Sequence, residues 1–408
     1  MNVVFSQWAL VFIFITVMLD VLALGMVMPV LPELIHTLTG ADAAYNAQMV
    51  GLFGTLWALT QFLFAPVLGM LSDRIGRRPV ILLSNLGLGF DYVLMAVAPH
   101  FSWLLVGRII SGIAAGNFTA AGAYIADITP LEKRASGFGI QNAAFGFGFG
   151  LGPALGGLLG TVDLRLPFWV AAGLILTNFC WVFFLLPESL SRQQRGQMSW
   201  QRANPLGTFQ FLRTQPELFN LTGVMLLSFV ALEVMPSTFV LFAQYRFGWD
   251  TGMVGLTLSS VGVGIALVQI GLVAPMIAWL GERRTILVGL GCGALGLTVY
   301  GLASTGAVLW IGAPIIALWG LFGPAAQSLM SRVVSVSQQG LLQGAVNSLL
   351  HGLGGLIAPS LFTMTFAMAI TTAYPQQLAA TPFLLAALLL IGALLLAWRG
   401  VCSPPTRN

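Results

Sequence analysis

Apolar residues run through the chain in long unbroken stretches, and polar residues gather in short intervals between them. The stretches are continuous rather than alternating, which favours helices over the strands of a barrel, where lipid-facing and lumen-facing positions alternate. Crossing ~30 Å of hydrocarbon takes about 20 helical residues, so the pattern predicts about twelve spanning helices. They fall near 7–30, 47–71, 80–98, 102–127, 136–160, 167–186, 219–243, 252–280, 285–303, 307–331, 340–368 and 380–399. The first stretch has no basic flank before it and runs past signal-peptide length into Met28-Pro29-Val30-Leu31-Pro32, so it is read as a retained helix. Between Pro187 and Asn220 the composition shifts to Ser, Arg, Gln and Glu. The expected organisation is therefore an N-terminal six-helix bundle over 1–187, a cytoplasmic linker over 188–218 and a C-terminal six-helix bundle over 219–408.

Composition strengthens this picture. Charged residues make up 7% of the chain and hydrophobic residues 57%, too little polarity to cover a water-soluble globule of this size. With both termini inside, the inner loops and tail collect Arg74, Arg77, Arg78, Lys133, Arg134, Arg192, Arg195, Arg202, Arg213, Arg283, Arg284, Arg332, Arg399 and Arg407. Only Arg165 and Arg246 stay outside, with Arg108 inside a helix, and that asymmetry sets the orientation. The expected location is the bacterial cytoplasmic (inner) membrane, multi-pass, both termini cytoplasmic. The formal charge of +4 then belongs to loops beside anionic lipid, and no nucleic-acid surface is implied. Cys180, Cys292 and Cys402 have no metal-binding or disulfide spacing, so no metal and no cofactor is expected.

Each half repeats similar phrases in the same order. Met28-Pro29 recurs as Met235-Pro236, Met49-Val50-Gly51-Leu52 as Met253-Val254-Gly255-Leu256, and Gly76-Arg77-Arg78 as Gly281-Glu282-Arg283-Arg284. Gly146, Gly148 and Pro153 recur as Gly352, Gly354 and Pro359. The ordered series argues for an internal repeat, and two similar bundles suit a carrier that works by alternating access around a site near the membrane midplane.

The segment Gly69-Met70-Leu71-Ser72-Asp73-Arg74-Ile75-Gly76-Arg77-Arg78 resembles the signature loop between helices 2 and 3 of the major facilitator superfamily. Leu104, Val106-Gly107-Arg108 and Ser111-Gly112 on helix 4 resemble a second family motif. Gly139, Gly148, Gly152-Pro153 and Gly156-Gly157 on helix 5 are similar to the motif of its drug/proton antiporter branch. Within that branch the chain resembles the tetracycline/proton antiporters through Leu19-Asp20, Gly25, Met28 to Pro32, Ala58-Leu59, Gln61, Phe64-Ala65-Pro66 and Asp91-Tyr92. Arg246-Phe247-Gly248-Trp249 and Met253-Val254-Gly255 carry the likeness into the second half. The resemblance implies an all-α membrane protein with twelve transmembrane helices in two pseudo-symmetric six-helix bundles, the major facilitator fold. Those antiporters place a histidine on helix 8 and an aspartate on helix 9, where this chain has Ile265 and Gly293.

Ionisable side chains deep in a helix cost ~2.5–3.5 kcal/mol each on insertion scales, so they commonly serve a purpose or face a partner. Asp20, Asp91, Arg108 and Glu233 are the candidates for proton coupling. An unpaired carboxyl group in a partly wetted cavity can take a proton from one side and release it on the other. For Asp20 and Asp91 the structural alternative is an ion pair with Arg108 that fixes helix packing; for Glu233 it is a charge at the outer mouth. Gln141, Phe145 and Phe149 share one face of helix 5 and, with Gln61 on helix 2, are the substrate-binding candidates; the alternative is a lipid-facing or packed stripe for the helix 5 residues and an amide that ties helices together for Gln61. Gly148, Gly152 and Gly156 form a smooth ridge for close helix approach. Gly69, Asp73, Arg77 and Asp127 are the gating candidates. The resemblance implies that Asp73 docks near the start of helix 11 and that the loop arginine pairs with Asp127.

The functional expectation is a proton-coupled antiporter, not an enzyme, exporting a small hydrophobic or amphiphilic drug-like compound. Its partners are that small molecule, protons and the bilayer, and the chain acts as a monomer. Proton-coupled uptake of a metabolite or siderophore is the alternative within transport, and a membrane-embedded sensor or enzyme is the alternative outside it. Against an enzyme stands the lack of paired catalytic groups or a phosphate-cradling loop; against a sensor, the lack of a sizeable soluble domain.

Overall fold

A computed structural model of the chain describes residues 3–129, 134–190, 193, 195, 216–333, 342, 346, 348–372 and 374–402. Among these residues there is no strand, and twelve helices are long and apolar enough to cross a membrane. They are α1 Trp8–Val27, α2 Ala43–Ile75, α3 Arg77–Val97, α4 Phe101–Ile128, α5 Gly139–Val162, α6 Leu166–Leu185, α7 Leu218–Phe247, α8 Thr251–Gly271, α9 Val273–Leu302, α10 Gly306–Arg332, α11 Ser348–Ile370 and α12 Gln376–Arg399. This is the all-α, twelve-span membrane protein that the apolar pattern predicts. Most of the expected linker, and the beginning of the expected eleventh helix, lie outside the described residues.

Boundaries differ most around α8. The predicted span over 252–280 is interrupted at Leu272, and α9 begins at Val273. Hydropathy alone merges the two because apolar residues continue across the break. The loop expected at Glu282 is present as a turn inside α9, where Gly281 takes φ 76°. Its counterpart Gly76, the joint between α2 and α3, takes φ 115°. An L side chain is strained at such φ values, so the repeated glycine-arginine phrase marks the same turn twice.

Two of the other repeated phrases are repeated contacts. A Cβ at Gly148 would meet the backbone of α1 at 2.8 Å, and one at Gly354 would meet the Phe229 ring of α7 at 2.8 Å. Likewise a Cβ at Gly255 would lie 2.1 Å from the Pro153 carbonyl oxygen, and one at its counterpart Gly51 would lie 3.6 Å from the Pro359 carbonyl oxygen. Small residues let helix backbones approach where lipid tails supply no hydrophobic drive between helices. The predicted ridge on α5 behaves this way along its whole length. Gly152 lies against Gly25, and Gly156 lies so close to Met26 that a Cβ would come within 1.9 Å of the Met26 carbonyl oxygen.

The helices form two compact units, one holding Met1–Asp42, Leu56–Ala203 and Asp250–Ser259, the other Ala43–Thr55, Asn204–Trp249 and Ser260–Asn408. Helices α2 and α8 each contribute to both. Inside the first unit, Ile13, Val17, Val80, Ile81, Tyr124 and Val182 make a buried core between α1, α3, α4 and α6. Inside the second, Phe239, Phe242, Tyr300 and Phe383 pack as an aromatic core. Large apolar side chains such as Phe184, Ile270, Trp279 and Leu302 are exposed, as a surface bathed in lipid requires.

Candidate functional site

Asp91 and Arg108 answer one question directly. Arg108 Nη2 donates to Asp91 Oδ2 at 3.0 Å, and Asp91 is fully buried between α3 and α4. The carboxylate leans on Gly107, where a Cβ would lie 2.2 Å from Asp91 Oδ1; the glycine before the arginine makes room for the pair. The same guanidinium reaches Met95 Sδ at 3.5 Å. Asp91 therefore sits in the ion pair that sequence reading held as its structural alternative.

Asp20 is placed differently. It is half-buried on α1, and among the described residues no cation pairs with it. Two amides hold it instead. Asn117 Nδ2 donates to Asp20 Oδ2 at 2.7 Å and Asn178 Nδ2 donates to Asp20 Oδ1 at 2.9 Å. Asn178 Nδ2 also donates to the Thr16 carbonyl oxygen at 3.1 Å, and Asn117 Nδ2 also donates to Asn85 Oδ1. Four helices meet at this carboxyl group: α1, α3, α4 and α6. Sequence reading named none of the three asparagines; the available signal was a lone amide in an otherwise apolar stretch on each of α3, α4 and α6.

Glu233 stands in the second unit at a break within α7, between helical segments ending at Leu232 and beginning at Val234. It is half-buried, with no ion pair and no side-chain hydrogen bond among the described residues. One turn earlier on α7, Phe229 lies with its ring centroid 4.9 Å from that of His351 on α11. That part of α11, Ser348–Gly354, is wound as a π-helix, a form that occurs mostly as short segments, frequently at functional sites.

The substrate candidates divide. Gln141 is buried and donates from Nε2 to the Phe118 carbonyl oxygen at 2.7 Å, which ties α5 to α4 and uses its amide. Phe145 and Phe149 stack with centroids 5.8 Å apart and ring planes 7° from parallel, and Phe118 meets Phe145 edge-on at 6.0 Å. Phe145 remains exposed. Gln61 is half-buried with no hydrogen bond among the described residues.

At the α2–α3 joint, Arg77 is the hub. Its Nε donates to Asp127 Oδ2 at 3.0 Å, its Nη1 donates to Ser72 Oγ at 3.2 Å and to Asp73, and its backbone N–H donates to Glu188 Oε1 at 2.9 Å. Gly69 lies nearby on α2 with open space where a Cβ would project. The expected Arg77–Asp127 contact is present. The expected docking of Asp73 near the start of the eleventh helix falls outside the described residues. Glu188, absent from the sequence candidates, closes over Gly76. In the second unit the equivalent turn carries the opposite charges: Arg332 at the end of α10 pairs with Glu282, and Ser328 Oγ lies 3.3 Å from Glu282 Oε1. The repeat aligns Glu282 with Arg77 and Arg332 with Asp127.

Gly293 is filled from outside. A Cβ there would lie 2.8 Å from Trp319 Cγ and 2.9 Å from Leu390 Cδ1, and Trp319 Nε1 is held by Ser228 Oγ at 3.0 Å. An aspartate at this position would displace the indole. Among the described residues no cluster of His, Cys, Asp and Glu is arranged to hold a metal ion.

Residues 13–359 match the family model described as Major Facilitator Superfamily. The chain is 39% identical to the class C tetracycline resistance protein of Escherichia coli over 90% of its own length and 92% of the relative's. It is 32% identical to the class B tetracycline resistance protein of Escherichia coli, covering 86% of each chain. The crystal structure of the human organic anion transporter MFSD10 (TETRAN) matches with a TM-score of 0.71 at 23% identity over 96% of this chain and 99% of that one, a likeness of fold. A match over this much of the sequence, on twelve apolar helices, leaves one family: the chain belongs to the major facilitator superfamily and is a secondary active transporter.

Proposed function

We propose that the chain is a proton-coupled antiporter of the bacterial inner membrane, with both termini cytoplasmic, exporting a small hydrophobic or amphiphilic compound by alternating access between two six-helix bundles. The tetracycline resistance relatives support export, and the arginine-rich inner loops support the orientation. The observation that carries the reading is Asp20, a half-buried carboxyl group on a spanning helix with amide donors and, among the described residues, no cation paired with it. Such a group can exchange its proton without first breaking an ion pair. Asp91 and Arg108 act beside it as a fixed electrostatic pair, and Glu233 is a second exchangeable carboxyl group. Phe145, Phe149 and Gln61 bind the apolar body of the cargo, while Gln141 holds their helix in place. Gly69, Asp73, Arg77 and Asp127 form the inner gate. The driving force is ample, since one charge moved across 100 mV is worth ~2.3 kcal/mol.

The test uses inverted vesicles energised to an acidic lumen, with a panel of neutral and cationic amphiphiles and with tetracycline. At least one probe is expected to release luminal protons as it enters, and Asp20→Asn is expected to abolish that release while the protein melts near the wild-type temperature. With Ile265 and Trp319-packed Gly293 in place of the histidine and aspartate, tetracycline is expected to be a poor probe. Proton release by no probe, or active efflux retained in D20N, removes the reading.

A further inference from the structure

Of the amides around Asp20, one is locked and one is reversible. Asn178 Nδ2 is shared between Asp20 Oδ1 and the Thr16 carbonyl oxygen. A backbone carbonyl can only accept, so rotating this amide by half a turn would set oxygen against oxygen. Asn178 is a donor in every state. Asn117 has no such lock. Its Nδ2 faces Asp20 Oδ2 and Asn85 Oδ1, and Asn85 is an amide that can present either end. Both carry an unused buried atom, Oδ1 on Asn117 and Nδ2 on Asn85. Since amide oxygen and nitrogen are nearly the same size, turning over both asparagines keeps every heavy atom in place and reverses the direction of both hydrogen bonds.

We infer that Asn117 and Asn85 form a reversible pair that serves both protonation states of Asp20, and that the transported proton loads on Oδ2 while Asn178 fixes Oδ1. This rests on the reading of Asp20 as a proton carrier. With Asp20 ionised, Asn117 Nδ2 donates to Oδ2 and to Asn85 Oδ1. When a proton from the open compartment forms the Oδ2–H bond, Oδ2 becomes a donor, and both amides invert so that Asn117 Oδ1 accepts from Asp20 and from Asn85 Nδ2. Release breaks the same O–H bond and returns the amides. Asn117, Asn178 and Asn85 are positioning residues, acting through Asp20.

Other charged and titratable groups stand further round the site. Helix α1 packs against α5, α6 and the second part of α4. The stretch of α5 from Gly139 to Val162 has no ionisable side chain, α6 offers Cys180, and α4 offers Arg108, Tyr124 and, at its inner end, Asp127. From α3, Tyr92 is within electrostatic range of Asp20, Asp91 and Arg108. None of these donates to the Asp20 carboxyl oxygens among the described residues, so the amides alone set its hydrogen bonding.

The experiment is an infrared pH titration of the full-length protein in liposomes without cargo, following the protonated-carboxyl C=O band that Asp20→Asn removes. Asn178→Leu strips a donor from the carbonyl oxygen Oδ1. The band is expected to move to higher frequency and its midpoint to shift alkaline by roughly one pH unit, because a hydrogen bond to a charged group is stronger than one to a neutral group. Asn117→Leu removes a partner of both forms, so its midpoint is expected to move by less than half as much, with the band frequency little changed. Asn117→Ser keeps a group that can donate or accept in turn, and is expected to stay within the same limit if the leucine variant does not fold. A midpoint shift in either Asn117 variant equal to that of N178L means a static cradle and overturns the inference, as does a frequency rise in N117L with none in N178L, which puts the proton on Oδ1. Absence of any titrating band sensitive to D20N is a different failure, and removes Asp20 as a carrier first.

Discussion

At the residue scale, the buried pair of Asp91 and Arg108 separates a structural role from a coupling role. Removing one partner of a buried ion pair leaves the other uncompensated, at a cost of ~3–5 kcal/mol, whereas replacing both by apolar groups of similar volume is often neutral. Asp91→Asn is therefore expected to lower the thermal midpoint sharply in detergent, and the double variant Asp91→Leu with Arg108→Met to recover most of it. Transport separates the roles further: a double variant that is stable but uncoupled would show that the pair's field matters to Asp20, and one that is stable and coupled would leave it as packing. Both ionisable residues were legible in the sequence, because a charge in an apolar run has few explanations. The amides of Asn85, Asn117 and Asn178 were not. A single asparagine has no periodicity, and only the meeting of four helices shows that two of them hold one carboxyl group while the third, Asn85, backs Asn117. Gln141 was legible as a polar residue on an aromatic face, yet its amide turned out to be spent on the Phe118 carbonyl.

At the scale of elements, the ridge glycines of α5 were readable because spacing alone defines a smooth helix face. Their partners required the fold. Gly156 abuts the α1 backbone at Met26, which cannot yield as a side chain would. Gly156→Ala is expected to destabilise by at least the ~1–3 kcal/mol typical of overpacking, and Gly69→Ala, which points into open space, to melt near wild type. A second consequence concerns the two glycine turns at Gly76 and Gly281. Arg77 with Asp127 and Glu282 with Arg332 occupy equivalent places with reversed sign, so the fold needs an opposite pair there and tolerates either polarity. Each reversal alone, Arg77→Glu or Asp127→Arg, is expected to cut transport in vesicles. The combined swap is not expected to restore it fully, because the Arg77 guanidinium also serves Ser72 and Asp73, whereas swapping Glu282 and Arg332 together is expected to restore most activity. Full recovery in both swaps would reduce the first turn to a simple ion pair.

For the whole molecule, the scaffold is repeated and the membrane-embedded charges are not. Turn glycines, the ridge glycine Gly148 (as Gly354) and proline contacts recur from the first half to the second, whereas Asp20, Asp91 and Arg108 have no ionisable equivalents there, and Glu233 aligns with Met26. Besides Asp250 and Glu282 at its turns, the second half thus keeps Glu233, at a break in α7 and with no pairing cation among the described residues. A lone carboxylate at membrane depth is costly, so Glu233 is neutral or is met by positive charge on the cargo, and the two cases separate by cargo. As an exchangeable proton site it is needed for every gradient-driven cycle. Glu233→Gln is then expected to reduce efflux of a neutral and of a permanently cationic amphiphile alike, by about tenfold or more, while downhill exchange of labelled for unlabelled probe continues. Loss confined to the cationic probe, with neutral efflux intact, would instead make Glu233 the counter-charge for the cargo and leave Asp20 as the proton carrier.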